Sequence, residues 1–236
     1  MNIDITLALP AYNEESNIAR VLQEAITALE DIGRPWEIIL VDNCSSDRTA
    51  EVGLAVAEKE PRVRVISHDE NRLYSGSCAT AMREAKGKYV AILDSDGQVV
   101  PTDIPRFLEK LEAGTNVVFG WRNPRRDPFS RLAMSAVFNF LGKWYIKFPL
   151  HDLNCGFRMF DRKFIENVEI THRINMSNPE MYTRAKIAGL KMDEATIEHY
   201  ERKGGETSHD FRKLFGVLVG VQRHFRDLGR ELKQSS

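Results

Sequence analysis

The chain has 236 residues, which is long enough to bury one substantial hydrophobic core, and a single domain is the default organisation for an α/β chain of this length. Lysine plus arginine (33) nearly balances aspartate plus glutamate (34), so the composition excludes a global charge signal for nucleic acid, and any anion site must be built from a few placed cations. Three widely spaced cysteines fit neither a disulfide framework nor a paired-cysteine metal site, which favours a reducing compartment.

The first hundred residues alternate between apolar, strand-like runs and helical patterns. The run EIILVD (37–42) is typical of a strand buried on both faces, and apolar residues from Ile18 to Leu29 recur at helical spacing after Ser16, a candidate helix cap. The elements predicted in this half are strand 3–9, helix 18–29, strand 37–42, helix 49–59, strand 62–67, helix 76–86 and strand 89–93. This alternation predicts a mostly parallel sheet covered by helices, with ligands bound outside the carboxyl ends of its strands.

Beyond residue 100 the regular alternation is lost. A helix is predicted at 104–113, a strand at 116–121, and a long amphipathic helix at about 130–146 after an arginine-rich loop. No repeat or linker separates this half from the first, so it is expected to complete the same sheet and to add a layer facing the second substrate.

Two terminal segments bear on membranes. The N-terminal residues lack the basic region of a secretory signal and are predicted to be a strand. The apolar run 214–221 is well short of the ~20 residues that a membrane-spanning helix needs. The segment 211–233 mixes apolar and basic residues, which is typical of a helix lying in a membrane interface, and a helix docked on the core or in a dimer is the alternative.

The sharpest chemical signal is the turn Asp94-Ser95-Asp96-Gly97-Gln98, directly after the apolar run YVAIL. Carboxylates at i and i+2 in a turn that leaves a strand can both reach one divalent cation, and Gln98 offers a neutral oxygen. Mg²⁺ and Mn²⁺ prefer such oxygen ligands and commonly keep positions open for a diphosphate. An acidic turn that only caps the next helix is the alternative interpretation.

The end of the first strand, Pro10-Ala11-Tyr12-Asn13-Glu14, is a weaker signal. Proline fixes the backbone as the chain leaves the sheet, Tyr12 offers a flat face for a nucleobase, and Glu14 offers an acceptor for ribose or base donors. Because proline and polar residues end many strands, this segment indicates a nucleotide site only when other motifs support it.

Five motifs occur in the order and spacing of the family 2 glycosyltransferases, namely PAYNEE, VDNCSSDRT, LDSDGQ, DLNCGFRMFDR and HYERKGGETS. The chain resembles this family over residues 5–208, and within it is most similar to the dolichyl- or polyprenyl-phosphate mannosyltransferase group. The resemblance implies an α/β fold of the GT-A type, a Rossmann-like, mostly parallel sheet flanked by helices. We predict one domain over 1–236, with a nucleotide-sugar-binding half (1–100), an acceptor half (101–210) and a C-terminal amphipathic helix (211–236).

The resemblance also implies functional residues. It places a Mg²⁺ or Mn²⁺ ion that bridges the donor phosphates at Asp94, Asp96 and Gln98. It places the nucleotide sugar at Pro10, Ala11, Tyr12, Glu14, Val41, Asp42, Asn43, Asp94, Ser95, Arg122 and Ser135. The residues predicted to act in the transfer itself are Asp96, Asp152, Arg131 and Arg202.

A pair of residues on the long helix supports the phosphate assignment. Arg131 and Ser135 are spaced i, i+4, so they share one helix face, where a guanidinium and a hydroxyl can grip the same phosphate. For Arg125 and Arg126, each taken alone, a solvated position is the preferred interpretation.

Three departures from the family pattern affect specificity. Relatives commonly show VDDGS at 41–45, whereas this chain has Asn43, an amide that both donates and accepts hydrogen bonds, so the preference between GDP and UDP stays open. The stretch NRLYSGSCATA carries Arg72 and Tyr74 in place of small residues, which predicts altered sugar or acceptor selection. Residues 207–209 replace the usual Ser-Lys-Leu, so one candidate phosphate-binding lysine is lost.

These observations predict an inverting, metal-dependent glycosyltransferase. It moves a mannose- or glucose-type sugar from a GDP- or UDP-linked donor to an acceptor, with polyprenyl or dolichyl phosphate as the first choice. The acceptor attacks the anomeric carbon in line, and the metal takes up charge on the leaving phosphate. We expect the protein to be cytoplasmic, with peripheral contact to the cytosolic face of a membrane.

Other functions stay open. A hydroxyl acceptor needs a general base, for which Asp152 and Glu180 are candidates, although a buried ion pair between Asp152 and Arg158 that braces the strand is an equally fair reading. A strand followed by DxDG also suits an aspartyl-phosphate phosphatase with Asp94 as the nucleophile, against which the three preceding βα units argue. A degenerate nucleotide-sugar binding module is the alternative that is not an enzyme.

Overall fold

The fold is taken from a computed structural model that describes residues 3–127, 129–171, 176–200 and 214–235, with the side chains of 129–131 and 214–219 left aside. Arg202 therefore lies outside the described residues, and of Arg131 only the helical backbone is described.

The described strands form one seven-stranded sheet in the order β3-β2-β1-β4-β6-β5-β7. Their bounds are β1 Ile5–Ala11, β2 Trp36–Asp42, β3 Val63–Ser67, β4 Tyr89–Ile92, β5 Val117–Arg122, β6 Arg158–Asp161 and β7 Met192–Ile197. All neighbouring pairs are parallel except those of β6, which runs antiparallel to both β4 and β5. The mostly parallel sheet predicted from the sequence is confirmed.

Helices cover both faces of the sheet. Their bounds are α1 Ile18–Ile32, α2 Thr49–Ala57, α3 Leu73–Glu84, α4 Ile104–Glu112, α5 Phe129–Tyr145, α6 Arg162–Asn167, α7 Ser177–Ile187 and α8 Leu214–Gln234. Alternate residues of a strand point to opposite faces, so Leu7 and Leu9 of β1 pack with α1 and α4, whereas Ala8 packs with α3. The two resulting apolar layers hold the strand ends, and hence the loops that follow them, in fixed positions.

Many of the observed bounds differ from the predicted ones by one to three residues, and two helix N-termini show the reason. Helix α1 begins at Ile18 with Asn17 as its N-cap, and not Ser16, because the carbonyl of Glu14 accepts the N–H groups of Asn17 and Ile18. Helix α3 begins at Leu73, three residues before the predicted start, since Asn71 accepts a hydrogen bond from the Leu73 N–H. The division of the chain into a donor half and an acceptor half stays a prediction, although both halves contribute strands to the one sheet.

The described part of helix α8 packs on the core. Phe225 and Leu228 are 0% and 2% exposed, and Val221 packs against the same apolar cluster. These side chains therefore contradict the interfacial-helix prediction for this part of the tail and bear out the alternative of a docked helix. Among the described helices, none has the length and apolar content needed to cross a membrane.

Candidate active site

A cleft of about 930 Å³ opens at the carboxyl ends of β1 and β4. The predicted site residues that line it are Pro10, Ala11, Tyr12, Glu14, Asn43, Asp94, Ser95, Asp96, Gln98, Arg122 and Ser135. Val41, Asp42 and Asp152 are buried and do not form part of its surface. The structure thus brings most of the predicted residues to one place, at the strand ends where the parallel sheet predicted them.

The carboxylate turn after β4 is held from three sides. Ser95 Oγ donates to the carbonyl of Pro10 at 2.7 Å, and the Gln98 N–H donates to Asp96 Oδ1 at 3.0 Å. Gly97 has a φ of +72°, and a Cβ there would lie 2.2 Å from Arg20 Nη2. The turn is therefore tied to β1 and closed over α1, so the carboxylates of Asp94 and Asp96 enter the cleft from a rigid support.

Gln98, the predicted third metal ligand, engages another part of the chain. Its Nε2 donates to the carbonyl of Tyr200 at 3.3 Å and lies 3.5 Å from Nε2 of His199. The side chain therefore joins the carboxylate turn to the segment after β7, and its role as a ligand stays a prediction.

Asp94 is fixed by Tyr74, one of the residues that depart from the family pattern. The Tyr74 hydroxyl donates to Asp94 Oδ1 at 2.5 Å and receives a hydrogen bond from Nη2 of the fully buried Arg158 at 3.0 Å. Burial raises the pKa of Tyr74 well above its usual value, although the charge of Arg158 acts in the opposite direction, so the phenol keeps the proton that it donates. On the other side, Gly156 approaches so closely that a Cβ would lie 1.8 Å from Asp94 Oδ2.

At the end of β2, Asp42 lies buried beneath the nucleoside end of the cleft and Asn43 lines it. Asp42 Oδ1 is buried and has no hydrogen-bond partner among the described atoms. Asn43 Oδ1 accepts from the backbone N–H of Arg72 and from His68 Nδ1, both at 2.9 Å, and Asn43 Nδ2 donates to Asn71 at 3.0 Å. Asn43 therefore secures the loop after β3, which the sequence comparison with VDDGS does not anticipate.

His68 provides a test of this arrangement through pH. Burial and the charge of Arg72 lower its pKa below the ordinary 6.5. A histidine whose pKa is lower in the folded state than in the unfolded state stabilises the protein at pH values above its unfolded-state pKa. The free energy of unfolding therefore falls as the pH drops below about 6.5, by at most about 1.4 kcal/mol per pH unit for one histidine. We expect His68→Gln to reduce the difference in unfolding free energy between about pH 7.5 and about pH 5.5, measured by urea titration.

Gln23→Ala, at an exposed position of α1, is the control for that measurement. It removes no titratable group and should keep the wild-type dependence of stability on pH. Equal slopes for His68→Gln and the wild type would contradict the assigned neutral state of His68.

The wall opposite the carboxylate turn is built from ion pairs. Arg122 Nε and Nη2 donate to the two oxygens of Asp152 at 2.7 and 3.0 Å. Arg125 donates to Asp127 Oδ2 at 2.7 and 3.0 Å and to Ser135 Oγ, and lies 3.7 Å from Asp152. This cluster of guanidinium and carboxylate groups faces the cleft with its charges largely matched.

Two predictions about this wall are wrong. Asp152 pairs with Arg122, not with Arg158, because Arg158 turns into the core beside Tyr74 and Cys78. Arg125 is only 18% exposed and lines the cleft. The prediction that its side chain is solvated is therefore wrong. Its place just after the carboxyl end of β5 is the signal that pointed to a site residue.

The candidate general bases are each bound by an arginine. Glu180 is 3% exposed, does not line the cleft, and accepts hydrogen bonds from Arg184 and Thr171. Asp152 is held by Arg122 as described. Asp127, which lines the cleft, is buried, which raises its pKa, but the hydrogen bond and charge of Arg125 outweigh this effect and lower the pKa overall. The lowered pKa makes Asp127 a weaker base than an ordinary aspartate.

Comparison with known proteins decides the family. A family profile described as Glycosyl transferase family 2 matches residues 6–169. The chain belongs to this family. Membership removes the basis for the aspartyl-phosphate phosphatase alternative, because the carboxylate turn of the chain lies within the matched glycosyltransferase region.

Relatives within family 2 extend the match along most of the chain. Undecaprenyl-phosphate 4-deoxy-4-formamido-L-arabinose transferase from Pectobacterium carotovorum subsp. carotovorum is 31% identical over 220 residues, which cover 92% of this chain and 66% of that protein. The protein of the same name from Salmonella typhimurium is 29% identical over 219 residues, with the same coverage. The chain thus spans just under two thirds of the length of these relatives.

A solved structure with the same fold is glucosyl-3-phosphoglycerate synthase from Mycobacterium tuberculosis, crystallised with Mn²⁺, UDP and glucosyl-3-phosphoglycerate. It superposes with a TM-score of 0.70 over 98% of this chain and 80% of its own, at 14% sequence identity. The likeness shows the fold, which is the GT-A type expected of a family 2 glycosyltransferase.

Sequence reasoning assigned no role to His199, which lies behind the residues that line the cleft. His199 is 4% exposed, and its Nδ1 accepts the backbone N–H of Arg126 at 3.0 Å. Burial lowers its pKa, which keeps Nδ1 available as an acceptor. His199 is the first residue of the HYERKGGETS motif, so the motif identifies its position in the sequence. Its location behind Gln98 follows only from the fold.

Proposed function

We propose that this family 2 glycosyltransferase transfers a sugar from a nucleotide-diphospho-sugar to a polyprenyl phosphate, with inversion at the anomeric carbon. The names of its relatives contain undecaprenyl phosphate and 4-deoxy-4-formamido-L-arabinose, which adds an aminopentose to the mannose and glucose types predicted from the sequence. A UDP-linked donor is proposed ahead of a GDP-linked one, because the neighbour of the same fold was crystallised with UDP.

A phosphate acceptor is supported by the ion pairs that the carboxylates around the cleft form. Asp127, Asp152 and Glu180 are each bound by an arginine, at 2.7, 2.7 and 3.1 Å. A hydroxyl acceptor must lose a proton and needs a general base with a pKa near the working pH. A phosphate is already anionic at neutral pH and attacks without one. Arg122 and Arg125 also line the cleft, and a guanidinium carries five N–H donors, more than its carboxylate partner uses, so each arginine can still donate to phosphate oxygens.

The residues of the carboxylate turn fit a divalent cation. No group of three or more His, Cys, Asp or Glu side chains is placed to hold a metal within the described parts of the chain. Asp94 and Asp96 would instead hold Mg²⁺ or Mn²⁺ as two carboxylate ligands, and oxygens of the donor and of water would supply the remaining ligands. A metal bound there would supply charge stabilisation for the leaving diphosphate.

The chain's own residues then have distinct roles. Tyr12, which lines the cleft and is 46% exposed, offers the face of its ring to the nucleobase. Arg122 and Arg125 orient the acceptor phosphate, whose oxygen attacks the anomeric carbon. The bond from that carbon to the diphosphate oxygen breaks, and its electron pair leaves with the nucleoside diphosphate. Because the donor is water-soluble and the acceptor is a lipid, we place this reaction at the cytosolic face of a membrane.

The first test is a thermal-shift panel of UDP-, GDP-, dTDP- and CMP-sugars, each with and without Mn²⁺. We expect UDP-sugars to raise the Tm only with metal, and the Asp96→Ala variant to lose this response because half of the carboxylate pair is gone. Asp31→Ala, at an exposed position of α1, is the matched control and should respond like the wild type. No response to any donor would contradict the proposed donor site.

The second test compares undecaprenyl phosphate with undecaprenol as acceptors for the donor found in the panel. We expect transfer to the phosphate alone. Transfer to the alcohol would overturn the phosphate acceptor and favour the hydroxyl-acceptor alternative. Donor binding with neither transfer nor slow hydrolysis would favour the degenerate binding module.

A further inference from the structure

Helix α5 exposes large apolar side chains on its outer face. Val137, Phe140 and Trp144 are 49%, 62% and 66% exposed, at i, i+3 and i+7. This spacing puts them on one side of the helix, over about 10 Å of its length. The rings of Phe140 and Trp144 stack on each other, with centroids 6.4 Å apart, instead of packing into the core. These three residues are called the α5 aromatic face below.

The opposite side of the same helix belongs to the active site. Met134, Ser135 and Phe138 line the cleft, and Phe138 also packs edge-on against Phe225 of α8. One helix therefore separates the cleft from the solvent at the α5 aromatic face. A molecule that rests on that face lies within one helix diameter, about 10–12 Å, of the residues that line the cleft.

Exposed basic side chains occur on α5, just after its end, and on the helix that packs against it. Lys143 lies within its span and Lys147 follows the end of the helix, and both are exposed. Helix α8, which packs on α5, exposes Arg223 and Arg226 on either side of the buried Phe225. Exposed aromatic residues flanked by lysine and arginine are typical of surfaces that bind the interface of an anionic membrane.

We propose that the α5 aromatic face binds the surface of a membrane that contains anionic lipids, and so sets the mouth of the cleft against the bilayer. This inference rests on the proposed lipid-phosphate acceptor, which has to reach the cleft from a bilayer. It also moves the membrane contact from the C-terminal helix, whose described apolar residues are used in the core, to α5.

A second copy of the chain is a poorer occupant of this face. A stable interface buries about 800 Å² on each partner, more than three side chains along 10 Å of helix supply. A two-fold contact at this face would also bring Lys143 and Lys147 of both copies into one interface, where like charges repel each other. An anionic lipid surface instead matches both the apolar and the basic parts.

The test is flotation with vesicles of phosphatidylcholine, with or without phosphatidylglycerol, using the Phe140→Ser/Trp144→Ser double variant. We expect the wild type to float with the anionic vesicles, less so at high salt, and the variant to lose roughly tenfold or more in partitioning. Leu54→Ser/Ile187→Ser, at exposed apolar positions of α2 and α7, is the matched control and should float like the wild type.

Wild-type protein that stays at the bottom, or a double variant that floats normally, would overturn the proposal. A wild-type dimer that the double variant converts to a monomer would overturn it in favour of a contact between copies. Flotation measures membrane binding without any enzymatic turnover, whereas the donor panel tests the proposed function. A failure of one proposal can therefore be told apart from a failure of the other. The variant should also keep the donor-induced rise in Tm, because neither Phe140 nor Trp144 lines the cleft.

Discussion

The Gly156→Ala variant is expected to lose at least about 100-fold in sugar transfer while it remains folded, because an error of about 1 Å in a reacting group can cost this much. The new Cβ would lie 1.8 Å from Asp94 Oδ2 and 2.1 Å from Asp94 Cγ. These atoms belong to the end of a side chain, so the least costly response is rotation of the Asp94 carboxylate. That rotation breaks the hydrogen bond from Tyr74 and moves the carboxylate away from the place where it meets the metal and the donor phosphates.

The measurement is kcat/KM for transfer, together with the Tm and the Mn²⁺ concentration that supports half-maximal activity. Gly220→Ala is the matched control, because nothing lies within 4 Å of the added Cβ on helix α8. The control should keep wild-type activity, with a Tm that is unchanged or slightly raised by the better helix former. Wild-type kcat/KM in Gly156→Ala would mean that the position of Asp94 is unimportant for transfer.

The Arg122→Met variant is expected to be destabilised by about 3–5 kcal/mol, the usual cost of removing one partner of a buried ion pair. Asp152 is only 2% exposed and loses both of the short hydrogen bonds that satisfy its oxygens. Arg125, 3.7 Å away, compensates only in part because it is also committed to Asp127. The lost guanidinium should also reduce transfer if it orients the acceptor phosphate.

A double-mutant cycle with Asp152→Asn separates these effects. Once the carboxylate is neutral, Arg122→Met no longer leaves a buried charge without its partner, so the double variant should be more stable than the sum of the single losses predicts. Urea unfolding gives each free energy. Arg48→Met removes an arginine that is 71% exposed and 3.6 Å from Glu15, and should cost no more than about 1 kcal/mol. Simple additivity in the cycle would contradict the coupling of Arg122 to Asp152.

The first half of the fold was predictable because its strands are buried on both faces. β1, β2 and β4 are buried along their whole length, and a continuous apolar run is the sequence signal of such a strand. β6 and β7 lack that signal. β6 is four residues long and begins with the buried Arg158. β7 is an edge strand with three partly exposed residues at its start and one exposed residue near its end. Backbone pairing, which leaves little trace in the side chains, defines these two strands.

The candidate site was likewise predictable only in part. The carboxylate turn and the loop after β1 were predictable, because the ends of parallel strands meet at one edge of a sheet. The contacts between Tyr74 and Asp94 and between Arg122 and Asp152 were not, since they join residues 20 and 30 positions apart. Such pairings depend on which loops the sheet order brings together, and β6, inserted between β4 and β5, changes that order.

The reversed strand β6 also has a consequence for how the chain assembles during synthesis. β4 is complete once residue 92 has left the ribosome, but its partner on one side is β6, at 158–161. Until then that edge of β4 presents unpaired backbone groups, which are a template for pairing with other chains. Pairing over such a sequence distance is also slow. Chains that end before residue 158 are therefore expected to aggregate, whereas in those that extend past residue 161 this edge of β4 can pair with β6.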